Sequence, residues 1–376
     1  MKEFWLRKEE CTGCASCANI CPKNAIELKK DDCGFVYPNI SEACVDCNLC
    51  VKVCEKRLKI KTSRITEPYT YAVWSEDKDT RFKSTSGGAF SELARIILKQ
   101  GGYIAGAAYN DKNLVEHILV NNEEGLSRIR QSKYLQSEIG FIYQEVKKLL
   151  AENKLVGFCG APCQVAGLYA FLDKDYDNLI TFDFICRGMN SPKAYESWLR
   201  ELENQNSSKV LNVWFKYKVN GWKKSPRCTK VDFENGNSII LKGNKNLFMT
   251  GYLGPNLYIR PSCGNCDFKG IPRYGDITLA DFWGIEPQLD DDKGTSMVLV
   301  NSVKGSKLFL LAEKQLHVIK RDFQEIFQGN VCFDSSVKIN SQSEEFLQKL
   351  DEISFSRAIQ KYGRISILEK IKQKFF

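Results

Sequence analysis

Histidine is nearly absent: the 376-residue chain has only His117 and His317. A serine-histidine-aspartate triad or a histidine-rich zinc site therefore has almost nothing to draw on. The sequence offers no charge-free apolar run of about 18 residues, and its opening, Met1-Lys2-Glu3-Phe4-Trp5-Leu6-Arg7-Lys8, lacks the apolar stretch of a signal peptide. The expected location is the cytoplasm, without membrane association. No Gly-x-Gly-x-x-Gly fingerprint follows the first strands, which disfavours a nicotinamide-binding Rossmann domain. A net charge of +8 is small for this length and reads as a solvated surface of mixed sign, so nucleic acid is not implied.

Cysteine, by contrast, is abundant, with 16 in the chain. In a reducing compartment a chain this long has no need of disulfide staples, so the cysteines read as metal ligands. Nine fall between Cys11 and Cys54. They include Cys11-x2-Cys14-x2-Cys17-x3-Cys21-Pro22, repeated at an offset of 33 as Cys44-x2-Cys47-x2-Cys50-x3-Cys54. Three thiolates at this spacing wrap three corners of a 4Fe-4S cube, and in two-cluster ferredoxins the fourth comes from the other run. One cluster then takes Cys11, Cys14, Cys17 and Cys54, and the other Cys44, Cys47, Cys50 and Cys21. Paired zinc sites are the competing reading, although they usually show two Cys-x2-Cys knuckles. The second run has Glu55 in place of the proline. Cys33 lies outside both runs and reads as a buried thiol.

A charged stretch at residues 56–64 reads as a linker that makes the first segment separable. Beyond it, helix and strand alternate. Apolar spacing predicts a helix over residues 90–98 closed by Gly101-Gly102, strands over 103–109 and 115–120, and helices over 138–152, 164–172 and 192–203. Strands are predicted over 155–159 and 179–186, a hairpin through Glu234-Asn235-Gly236-Asn237, and a strand then a helix over 296–312. Such alternation argues for an α/β core. The tail from Ser343 reads as helical, with Ile367, Leu368, Ile371 and Phe375 on one face, a face that suits packing on its own domain better than a membrane surface.

Four later cysteines, Cys163, Cys186, Cys263 and Cys266, could complete one further cluster, since the first two end predicted strands and the last two form a Cys-x2-Cys loop. Buried structural thiols compete for Cys163 and Cys186, and a zinc knuckle for Cys263 and Cys266. Cys159, Cys228 and Cys332 have no partner at ligand spacing. Ser86-Gly87-Gly88 at a helix start offers backbone amides to a phosphate, or is simply a cap.

Six motifs in order carry a resemblance: Ser86-Gly87-Gly88, Ser132-Lys133-Tyr134-Leu135-Gln136-Ser137, residues 160–168 (GAPCQVAGL), residues 183–192 (DFICRGMNSP), Arg260-Pro261-Ser262-Cys263-Gly264-Asn265-Cys266, and residues 275–284 (GDITLADFWG). Over residues 68–340 the chain resembles the beta subunit family of coenzyme F420 hydrogenase/dehydrogenase, in which an N-terminal two-cluster ferredoxin module is a common fusion. The resemblance implies an FAD-binding α/β domain with its own 4Fe-4S cluster on Cys163, Cys186, Cys263 and Cys266. It also implies flavin contacts from Ser86, Gly87, Gly88, Lys133, Gln136 and Ser137. Arg187 stands where the family usually has histidine, and Ala161 where threonine is usual. The expected class is α+β: a small ferredoxin-like domain over residues 1–66, a larger α/β FAD and iron-sulfur domain over 67–340, and a helical segment over 341–376. The expected activity is that of a flavin-dependent iron-sulfur oxidoreductase passing electrons between a ferredoxin-type donor or partner subunit, 4Fe-4S clusters, FAD and an organic or deazaflavin acceptor. The alternative is a non-catalytic electron-transfer subunit of a larger redox complex.

Overall fold

The computed structural model describes residues 6–56 and 64–363. Most of the expected linker, and the tail face at Ile367, Leu368, Ile371 and Phe375, lie outside the described residues. A small N-terminal domain precedes a larger α/β domain built on an eight-stranded mixed sheet.

The sequence repeat is also a backbone repeat. Ala15 (φ 68°) and Asn48 (φ 59°), 33 residues apart, each take the left-handed conformation just before a short helix, Ser16–Ile20 and Leu49–Lys52. Gly13 and Asp46, at the same offset, are left-handed as well. Each run therefore turns back on itself between its cysteines. An antiparallel pair, Ile26–Lys30 with Val36–Ile40, completes the small domain.

In the large sheet the spatial order is Leu316–Arg321, Tyr69–Ser75, Ser296–Val300, Ile277–Asp281, Leu179–Phe184, Val156–Cys159, Tyr103–Tyr109, Val115–Val120. The run from Ile277–Asp281 to Tyr103–Tyr109 is parallel and the outer pairings are antiparallel. Every residue of Ser296–Val300 is buried, as is expected of a strand covered on both faces. At the carboxyl edge of the parallel strands lie Cys159, Phe184 and Asp281, joined by Ser75 and by the start of Ser296–Val300. Such an edge is where open α/β sheets place their sites.

Helices Ala89–Lys99, Ile142–Ala151, Pro162–Leu172, Pro192–Asn206 and Val303–Ala312 stand where apolar spacing places them, as does the hairpin of Cys228–Phe233 with Ser238–Lys242. In the large sheet, strands Tyr69–Ser75, Ile277–Asp281 and Leu316–Arg321 are the ones the periodicity missed. The first pairs with strands more than two hundred residues away, and local spacing carries no trace of such a partner. The helices Ser343–Lys349 and Phe355–Tyr362 put Phe346, Phe355, Ile359 and Tyr362 into the same core as Trp198, Phe215 and Phe248.

The small domain packs directly against the larger one. Phe35 belongs to that same core, and Ala15 to the core around Tyr143 and Phe158. Ser16 Oγ donates to Gly167 O (2.8 Å), Asn19 Nδ2 to Gly140 O (2.9 Å), and Lys193 Nζ to Asp32 O (2.8 Å). Gly167 is a point of close approach, because a Cβ there would meet Ser16 Oγ at 2.8 Å and Cys14 Cβ at 2.9 Å. Gly167→Val should therefore push the two domains apart and cost about 1–3 kcal/mol, the range for an overpacked core, measured by chemical denaturation.

Candidate iron-sulfur and flavin site

The structure gathers the N-terminal cysteines into two groups that cross the runs. Cys11, Cys14, Cys17 and Cys54 are all buried, and Cys17 lies within electrostatic range of both Cys11 and Cys54. Cys21 instead lines an open cavity of about 220 Å³ with Cys44, Cys47 and Cys50. Cys47 is exposed there and Val45 is 58% exposed. One group thus faces solvent and the other lies inside.

A second, tighter cavity of about 30 Å³ is lined by Cys163, Cys186, Cys263 and Cys266. Cys163 begins the helix Pro162–Leu172, Cys186 follows the strand Leu179–Phe184, and Cys263 sits in the short turn Pro261–Asn265. Among the described residues no three His, Cys, Asp or Glu side chains close on a point as they would around one ion. The four thiols line a common cavity instead. Arg187, Arg260, Lys269 and Arg273 also line this cavity, with no acidic residue among its described lining. Four thiolates around a cluster carry net negative charge, so this cationic wall fits that donor set. Burial pushes the Cys14, Cys17 and Cys163 thiols well above their ordinary range and Cys186 up to about 12. Bound metal would reverse this by stabilising thiolate.

Cys332 also lines the second cavity, and its carbonyl accepts from Lys269 Nζ (2.8 Å). Nothing in its sequence spacing signals this. Cys159 and Cys33 are both half-buried, and desolvation pushes their thiols up to about 12 and about 11.

The inner N-terminal group and the second cavity adjoin. Thr12 lines the cavity, and its hydroxyl donates to Glu55 Oε1 (2.6 Å), while Cys14 Sγ donates to Glu55 Oε2 (3.0 Å). Glu55, the residue in place of proline, thus bonds both an inner thiol and Thr12 at the cavity wall. Arg260 ties the same junction. It is 1% exposed and donates through Nε to Cys11 O (2.9 Å), through one terminal nitrogen to Gln136 Oε1 (3.0 Å) and through the other to Val36 O (3.0 Å).

The residues expected to contact flavin are all buried, and they fall along two adjoining loops. Ser132 N donates to Thr85 Oγ1 (2.8 Å), which brings Lys133 beside the Ser86-Gly87-Gly88 turn. The turn has no side-chain cap. Ser86 Oγ donates to Thr295 O (2.6 Å), Gly87 N donates to Ser296 Oγ (2.9 Å), and Gly88 (φ 95°) precedes the helix Ala89–Lys99. Lys133 Nζ donates to Arg130 O (2.6 Å), and burial lowers its pKa to about 7. Gln136 is engaged by Arg260. Ser137 belongs to a polar chain: Gln164 Nε2 donates to Ser137 Oγ (3.2 Å), which donates to His117 Nδ1 (2.6 Å), and His117 Nε2 donates to Cys159 O (3.0 Å).

Burial lowers the pKa of His117 to about 4 and so favours its neutral form. A depressed histidine pKa contributes no penalty above the unfolded value near 6.5 and destabilises progressively as pH falls from there to about 4. Melting temperature should decline through that window, by up to about 1.4 kcal/mol of stability per pH unit, and less steeply in His117→Gln.

Residues 10–58 match the 4Fe-4S dicluster domain, and residues 153–325 match the family described as the C terminus of the coenzyme F420 hydrogenase/dehydrogenase beta subunit. An uncharacterized protein of Methanocaldococcus jannaschii is 24% identical over 397 residues, covering 95% of this chain and 98% of that protein. An uncharacterized ferredoxin of the same organism is 35% identical over 52 residues, 14% of this chain and 68% of the ferredoxin. A chain of the F420-reducing [NiFe] hydrogenase complex from Methanosarcina barkeri aligns with 18% identity and a TM-score of 0.46, over 79% of this chain and 92% of that one.

Proposed function

Because residues 153–325 match the C terminus of the coenzyme F420 hydrogenase/dehydrogenase beta subunit and a 4Fe-4S dicluster domain precedes that portion, we propose that the chain is a flavin-dependent iron-sulfur oxidoreductase. It takes electrons from a ferredoxin-type protein or partner subunit and delivers them to an organic acceptor, with a deazaflavin among the candidates. The supporting observation is the cavity where four thiols meet four cations, one residue layer from the inner ferredoxin group.

Cys21, Cys44, Cys47 and Cys50 hold the cluster that faces a donor. Cys11, Cys14, Cys17 and Cys54 hold the next, and Cys163, Cys186, Cys263 and Cys266 the third. Ser86, Gly87, Gly88, Lys133, Gln136 and Ser137 hold FAD. When bound, these groups supply single-electron transfer and its conversion to a two-electron reaction. The chain itself sets their spacing and charge. Gly167 admits Cys14 against the helix that carries Cys163, and Arg260 fixes both sides of the junction. Acidic Glu55 beside the inner group and the cations beside the third grade the potentials upward along that direction.

Denatured protein should release FAD. Gly88→Asp should abolish flavin binding by placing a negative charge where phosphate is expected, whereas Gly88→Ala, which bears the same φ strain of about 1 kcal/mol, should keep it. Equal flavin content in both variants would overturn this placement.

A further inference from the structure

Beside the Ser86-Gly87-Gly88 turn, three consecutive residues, Asp281, Phe282 and Trp283, border a group of buried polar atoms that lack partners among the described residues. Asp281 Oδ1, Thr295 Oγ1 and Trp222 Nε1 are all unpaired there. Thr295 is 0% exposed and Trp222 1%. They adjoin through the backbone and the rings: Phe282 N donates to Thr295 O (2.9 Å), and Trp222 stacks on Trp283 with centroids 4.2 Å apart and planes 4° apart. Buried polar atoms are nearly always paired, so three orphans in one place call for a ligand.

The surroundings carry charge and strain as well. Lys216, 1% exposed, donates to Asp281 Oδ2 (2.5 Å) and lies over the Trp283 ring at 4.8 Å. Its backbone is left-handed (φ 54°), as is that of Tyr134 (φ 43°) in the neighbouring loop. Side chains held against such strain cluster at functional sites. The connection to the turn is direct, since Asp281 faces Ser296 in the sheet and Ser296 Oγ accepts from Gly87 N.

The ligand must offer an N–H to a carboxylate oxygen, an acceptor to an indole N–H, and a partner to a hydroxyl. A planar heterocycle edge with alternating carbonyl and N–H groups meets those needs. We propose that Lys216 and Asp281 seat the ring system of the flavin, Asp281 Oδ1 accepting from the ring N–H and Lys216 placing a positive charge beside the ring. This rests on the flavin reading above and adds the residues that set the flavin's potential. Two electrons from the iron-sulfur side and one proton from solvent leave the ring one charge more negative, so a nearby cation favours reduction and a nearby anion opposes it.

The test uses the full chain reconstituted anaerobically with iron, sulfide and FAD, with flavin retention and flavin midpoint potential as readouts. Lys216→Met should shift the potential negative and Asp281→Asn positive, with at least tenfold weaker FAD retention in Asp281→Asn. Shifts of opposite sign are something a merely structural role would not give. Where either single variant fails to fold, the charge-balanced double variant Lys216→Met/Asp281→Asn serves. Loss of FAD with wild-type iron content then supports the seat, and wild-type retention overturns it. Unchanged retention and potential in both single variants also overturn it. Wild-type protein that retains no FAD would overturn the flavin reading itself, a different result from FAD that is bound but indifferent to these two residues.

Discussion

Arg260→Ala is expected to lower the unfolding free energy by about 3–5 kcal/mol, because a buried cation's hydrogen bonds are strong and its loss strands their acceptors. Three acceptors are stranded at once: Cys11 O, Val36 O and Gln136 Oε1. The guanidinium also lies over the Tyr37 ring at 4.3 Å, and that stacking is lost as well. Arg260→Lys should recover only a fraction, since an ammonium cannot reproduce a planar fork that reaches two directions simultaneously. Denaturant unfolding checks the energy. Iron analysis of the same variant checks a second consequence: with Cys11 no longer anchored, the inner ferredoxin group should lose iron before the exposed one does. A change below about 1 kcal/mol would mean that Arg260 fills space without joining the domains.

The second large effect concerns which run supplies each fourth ligand. Wild-type protein should contain about twelve irons and twelve acid-labile sulfides, four of each for each of three clusters. Exposure predicts how they leave. A strong chelator should remove one cluster's iron quickly, from the group that includes exposed Cys47, and the rest slowly. Cys54→Ser should remove about four irons and spare the fast phase, whereas Cys21→Ser should remove about four and abolish it. The reverse pattern would mean that each run closes on its own cysteine.

Much of this was legible in the sequence because the signals are local. Eight cysteines at fixed spacing need only short turns, and the left-handed residues Ala15 and Asn48 repeat at the same offset as the thiols. Helices with regular apolar spacing were legible for the same reason. What the sequence hides is non-local. Tyr69–Ser75 finds its partners at the far end of the chain, and Cys332 reaches the third group of thiols through tertiary folding alone. Lys216 and Trp222 arrive at Asp281 and Trp283 from a segment in which the spacing shows only a hairpin further along. A charged linker reports on the connection between the domains, whereas Phe35 and Arg260 report on the contact, which local spacing does not reveal.

That contact has a consequence for how such chains can recombine. On the ferredoxin side, Arg260 donates to the main-chain oxygens of Cys11 and Val36 and lies over the Tyr37 ring. Any module with the same backbone path offers those oxygens, and one that keeps an aromatic at position 37 offers the ring as well, so the larger domain is preadapted to accept a foreign ferredoxin segment. The constraint falls on a few points: a small residue opposite Gly167, and an aromatic at position 35 to plug the shared core. Grafts that respect those points should keep the inner thiols at the same separation from the cationic cavity. Diversity is then free to accumulate on the exposed face around Cys47, where a change alters who delivers electrons without altering where they go.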